Sequence, residues 1–159
     1  MPMRRKLIYD SLQEAVLEAE TLLSSGYTRS GNWSLAQVCR HLRLTIESNV
    51  RGYPGWMTIL GYPLRPVLRA FLLPRLLDGR SPSGVRTAKI FVPPDDLVDA
   101  DEVLRFERCV AEFENSDAQL HSHPGFGAMS KAEFSKFHAA HAGHHLSFLW
   151  PRQSADDKA

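Results

Sequence analysis

The sequence predicts an all-α fold, an antiparallel four-helix bundle with one extra short helix and a long Pro/Gly-rich crossover. Three observations point there. Apolar residues recur at helical spacing in four long stretches, each stretch opens on a capping signal or an acidic first turn, and nowhere does the strict alternation of a half-buried strand appear. Each apolar stripe has to cover another, which makes a bundle the economical arrangement. At 159 residues, 43% hydrophobic and 23% charged, one domain over residues 1–151 is expected, with a polar, disordered tail from Arg152 to Ala159.

The first helix is predicted to start at a capping box, Ser11 with Glu14, to carry Leu12, Ala15, Val16, Ala19, Leu22 and Leu23, and to close at Gly26. Ser34 with Gln37 repeats the signal. It opens a second helix whose stripe is Leu35, Val38, Leu42, Ile46 and Val50, ending near Gly52. Between Tyr53 and Leu64 the residues Pro54, Gly55, Gly61 and Pro63 break regular structure, and a short helix from Pro66 to Leu77 follows, kinked at Pro74.

Residues 78–96, with Gly79, Pro82, Gly84, Pro93 and Pro94, read as the crossover, with an extended piece at Ala88 to Val92. The next helix, from Asp99 to Leu120, places Val103, Phe106, Val110 and Phe113 on one face and Asp99, Asp101 and Glu102 at its positive end. A loop holding His121, His123, Pro124, Gly125 and Gly127 leads to a third capping box, Ser130 with Glu133. The last helix then runs until Pro151 stops it.

Nineteen Lys and Arg against 18 Asp and Glu give a net charge of +1, which supplies no whole-molecule field to recruit nucleic acid or an acidic membrane. The basic N-terminus is followed by Gln13, Glu14 and Glu18, so it does not read as a secretory signal, and no stretch approaches the roughly 20 apolar residues of a membrane span. Cys39 and Cys109 lack CxxC spacing. They suit unpaired, buried thiols in the cytoplasm.

Six of the seven histidines lie in the final 40 residues, four of them in the last helix. His141 and His145 are separated by about 40° of arc, so both imidazoles stand one turn apart on a face that Phe134, Phe137 and Phe148 turn toward the core. On the second helix His41 lies on the buried edge of the apolar stripe and can supply a third ligand. Three imidazoles suit zinc, nickel, copper or iron, zinc and nickel first, and leave a coordination position open, as catalytic sites do. Residues 141–145 read His-Ala-Gly-His-His without a glutamate, which argues against a zincin-type protease.

A lone His41 on an apolar face would ordinarily be a hydrogen-bonded core histidine. The facing pair changes that reading, because several neutral imidazoles buried together leave polar nitrogens at a cost of about 1–3 kcal/mol each. His138, one turn before His141, is held in reserve as a ligand. His144 points about 100° away from His145 and is expected beside the site or on the surface. His121 and His123 form an HxH that is a second candidate metal motif, although Pro124 and Gly125 favour a turn.

Trp33-Ser34-Leu35 followed by His41-Leu42, and later HAGHHLSFL, resemble the DinB/YfiT-like superfamily of metal-dependent helical proteins over nearly the whole chain. Within it, GNWSLAQVCRHL, HPGFG and FHAAHAGHHLSFLWP resemble most a bacterial domain family of unknown function. The resemblance implies a four-helix bundle with one histidine ligand from the second helix and two from the last, matched here by His41, His141 and His145. Many such proteins continue as HHxGQ, whereas Leu146-Ser147-Phe148 follows here, a departure in the substrate environment. Some members resemble thiol-dependent S-transferases and others hydrolases.

Three functions compete. The first is a metal-dependent enzyme acting on a small molecule, with water or a low-molecular-weight thiol activated at the ion. The second is a non-catalytic metal-binding or stress-response bundle. The third uses the basic amphipathic stretch Leu64 to Leu77, with Arg65, Arg69 and Arg75, as an interaction helix; packing on its own bundle or on a second subunit in a homodimer is favoured there over stable membrane association. Nucleic acid is the weakest partner, since residues 95–117 are strongly acidic and no aromatic-basic platform is present.

Overall fold

The computed structural model describes residues 3–82, 84 and 86–152 and is mostly helical. Its elements are α1 (Leu12–Ser25), β1 (Tyr27–Arg29), α2 (Leu35–Arg51), the composite helical arm α3 (residues 55–77), α4 (Asp99–Asn115), α5 (Lys131–Leu146) and β2 (Leu149–Pro151). The caps form where the sequence places them. Ser34 Oγ receives the Gln37 N–H while the Gln37 side chain receives that of Ser34, and Ser130 and Glu133 do the same. Ser11 caps Glu14 N–H, but Glu14 returns to the Ser11 hydroxyl rather than to its backbone.

Helices α1 and α2 each pack against both α4 and α5. Leu12, Val16 and Leu22 of α1, Leu35, Leu42 and Ile46 of α2, Phe106, Val110 and Phe113 of α4, and Phe134 and Leu146 of α5 meet in one core. Two stripes are narrower than expected. Leu23 and Val50 lie partly in solvent, and at the end of α2 it is the polar Asn49 that is buried.

Helical structure begins earlier than the prolines and glycines suggest. Gly55–Gly61 is α-helical, Tyr62–Leu64 tightens to a 3-10 turn that Pro63 can start without an N–H, and the arm continues to Leu77. Around Pro74 the arm stays helical, and the preceding turn widens to a π-turn at Leu68–Leu72, which relieves the clash of the proline ring with the carbonyl four residues back. Glycine lets the arm lie against the loop behind it: a Cβ on Gly61 would sit 2.4 Å from the Pro124 carbonyl oxygen.

Three further expectations are corrected. The piece at 88–92 is extended only at its ends, Ala88 and Val92, and between them Lys89–Phe91 forms a 3-10 turn that buries Phe91. Helix α4 ends at Asn115, where Ser116 turns extended, and α5 ends at Leu146, five residues before Pro151. The chain beyond α5 forms β2, which pairs antiparallel with β1 in the register Tyr27–Pro151, Thr28–Trp150 and Arg29–Leu149. Arg152 continues the tie, its N–H donating to Gly26 O at 3.0 Å; the rest of the expected tail, residues 153–159, lies outside the described residues. No helix among the described residues is long and apolar enough to cross a membrane.

Candidate metal centre

The stripe of α2 that buries Val38 and Leu42 carries His41 with it, and His41 is itself buried. From α5, His141 and His145 come forward one turn apart, both partly buried. The three Nε2 atoms converge. His41 Nε2 lies 3.2 Å from His141 Nε2, which lies 3.0 Å from His145 Nε2. The cluster is close enough to hold one metal ion, and it contains no carboxylate or thiol ligand.

The ring nitrogens can be assigned by what surrounds them. His41 Nδ1 is 2.8 Å from the Phe91 carbonyl, which only accepts, so Nδ1 carries the proton and Nε2 points a bare lone pair into the cluster. His141 Nε2, with one proton at most, can donate to one neighbour and not to both. One of the two contacts is then left without a proton along it. A single cation on three lone pairs removes that conflict, and ligands about 2.0–2.1 Å from a tetrahedral zinc would stand about 3.3 Å apart, near the spacing seen here. The Phe91 carbonyl is the partner a ligating histidine ordinarily finds for its other nitrogen.

Aromatic rings hold the imidazoles in place. Trp33 stacks on His145 at 5.4 Å between centroids and 18° between planes and leans on His41 at 4.9 Å, while Phe137 stacks on His141 at 6.0 Å and 14°. Burial pushes the pKa of His41 below the ordinary histidine value, and burial together with the neighbouring imidazoles pushes His141 and His145 well below it. All three are therefore neutral near pH 7, the form that binds metal.

The remaining histidines are engaged elsewhere. His138 is buried and directs Nε2 at Asn49 Oδ1, 2.5 Å away, so the reserve ligand is a core histidine hydrogen-bonded to α2. Its Nδ1 and that of His141 are buried without a partner. His144 Nδ1 accepts from the Arg4 guanidinium at 3.1 Å, and burial followed by that cation lowers its pKa to about 4. His123 Nδ1 accepts the N–H groups of Gly125 and Phe126 at 3.1 and 3.2 Å, closing the turn that Pro124 and Gly125 suggested, and His121 donates its backbone N–H to Asn49 O. The HxH pair is thus part of a loop and outside the cluster.

Both cysteines are free and buried. Burial raises the Cys39 thiol far above its usual range and the Cys109 thiol to about 12, so neither is a thiolate at neutral pH. Phe91 and Trp33 are the residues packed on the cluster that helical spacing does not reveal, although Trp33 stands in the motif that carries the family resemblance.

Fold and cluster together define a mostly helical protein with an all-histidine site able to hold one metal ion. The chain matches, over residues 1–152, the family described as Protein of unknown function (DUF1569), and it belongs to that family. No curated protein and no solved structure matches it.

Proposed function

We propose that this chain is a metal-dependent enzyme of the DinB/YfiT-like kind, its four long helices forming one antiparallel bundle that holds a divalent transition metal, zinc or nickel, on His41, His141 and His145. A small molecule is the substrate, with a low-molecular-weight thiol as co-substrate. The observation that carries this reading is the convergence of three Nε2 atoms, one of them fixed as a lone pair by the Phe91 carbonyl.

A divalent cation bound there lowers the pKa of a water or thiol beside it. His41, His141 and His145 are neutral and would leave the charge of a bound cation uncompensated, which would favour an anionic co-substrate such as a thiolate beside them over a neutral one. His141 and His145 are only partly buried, and Trp33 and Phe137 stack on their rings and keep them from turning away. Two free cysteines fit a chain working in the reducing cytoplasm.

Elemental analysis of the purified protein should find about one transition metal per chain; none, even after incubation with zinc or nickel, would end the reading. A cobalt-loaded sample should change its visible spectrum when glutathione is added, as sulfur enters the coordination sphere. His141→Ala should lose both the metal and the response. Stoichiometric metal with no response to any thiol would leave the hydrolytic or the purely structural alternative.

A further inference from the structure

We infer that the outward face of α3 is the contact surface between two copies of this chain. The arm has two unlike sides. Its inner side, with Leu68, Leu72, Leu73 and Leu76, packs on the core, and Gly61 meets the backbone at Pro124. Its outer side carries Trp56, Ile59, Leu60, Leu64, Val67 and Phe71 at spacings of one to four residues, and all six stand in solvent, Ile59 at 74% and Phe71 at 72%. A monomer rarely keeps such a patch bare.

Two of the three arginines that made this stretch look basic are turned to the loop behind the arm, and the third, Arg75, is exposed near its end. Arg65 donates to the Pro124 carbonyl, and Arg69 donates to those of Phe126 and Ala128 and reaches Glu133. A membrane-lying helix needs cations flanking its apolar face, and here two of the three arginines are spent on the loop behind. A twofold contact has the opposite need. Each partner there presents the same surface, so a patch whose six exposed residues are all apolar is its own complement.

Area agrees. The six side chains expose on the order of 700 Å², close to the roughly 800 Å² that each partner buries in an interface of standard size. The apolar content is also high, as in contacts between identical subunits. This inference does not depend on the metal centre.

Sedimentation velocity of the whole chain at tens of micromolar should give a particle of twice the 17.9 kDa chain mass, and Ile59→Glu with Phe71→Glu should return it to the chain mass with an unchanged helical circular dichroism. A wild-type monomer, or a dimer untouched by the double variant, would overturn the inference. Should that variant fail to fold, hydroxyl-radical footprinting of the wild type decides: Trp56 and Phe71 should be protected when concentrated and oxidised on dilution, and concentration-independent oxidation counts against the contact. Co-sedimentation of wild-type protein with phosphatidylcholine and phosphatidylglycerol vesicles should be absent; binding through α3, lost in the double variant, would assign the face to lipid instead.

Discussion

His138 and Asn49 show how a single buried pair sets both packing and pH response. The Asn49 oxygen only accepts, so His138 must hold its proton on Nε2, and burial followed by the His123 charge lowers its pKa to about 3. The folded state keeps this ring neutral where the unfolded chain, titrating near 6.5, takes up a proton. Its contribution is therefore fully present above pH 6.5 and is lost progressively as the pH falls toward 3. Between pH 7.5 and 5 the loss from this residue amounts to about 2 kcal/mol, and His138→Phe should remove that share from urea unfolding curves measured at the two pH values. Equal losses in variant and wild type would mean that the ring is not held neutral. Asn49→Ala should destabilise by about 1–3 kcal/mol by orphaning the Nε2 proton. Helical spacing made the approach of His41, His141 and His145 legible, because residues that share a helix face obey a period. The Phe91 carbonyl, 50 residues from His41, was not legible, since every residue has a carbonyl and only the turn at Lys89–Phe91 aims this one.

At the scale of elements, the arm α3 depends on one close approach. A Cβ on Gly61 would lie 2.4 Å from the oxygen and 2.7 Å from the carbon of the Pro124 carbonyl, backbone atoms that no rotamer can move aside. Gly61→Ala should therefore lift the arm from the 124–128 loop and cost about 1–3 kcal/mol by overpacking. Gly55→Ala, with nothing within 4 Å of the new methyl group, should be neutral or stabilising by up to about 1 kcal/mol; equal effects of the two changes on the denaturation midpoint would refute this. The caps at Ser34 and Ser130 were readable because they are local chemistry within four residues. The arm between Tyr53 and Leu64 was not, because proline is tolerated in a helix's first turn and because a π-turn lets Pro74 stay within the arm. The ribbon of β1 and β2 was invisible for another reason. Three residues per strand carry no periodicity, and their partners lie at opposite ends of the chain.

Across the whole molecule, residues 78–98 join a first half, α1 to α3, to a second half, α4 and α5, and polar ties hold the halves together from two sides. On one side the Asp99 carboxylate accepts from Ala36 N–H at 2.7 Å and from the Tyr27 hydroxyl at 2.9 Å, and buried Glu102 meets Arg43 of α2 and Arg105 of its own helix. On the other side stand the three histidines, one from α2 and two from α5. An ion on them would brace the halves only in the folded state, adding RT ln(1 + [L]/Kd), or about 2.7 kcal/mol at a hundredfold excess over Kd. For a chain of this size that is roughly 5–10 °C in melting temperature. Chelator should lower the wild-type melting temperature by that amount and leave His41→Ala nearly unmoved. Asp99→Ala should melt earlier, because hydrogen bonds to a charged group contribute about 1.5–3 kcal/mol each, but it should keep the full chelator shift, since its ligands are intact. A wild-type protein that contains metal yet melts at the same temperature with and without chelator would place the ion outside the seam between α2 and α5.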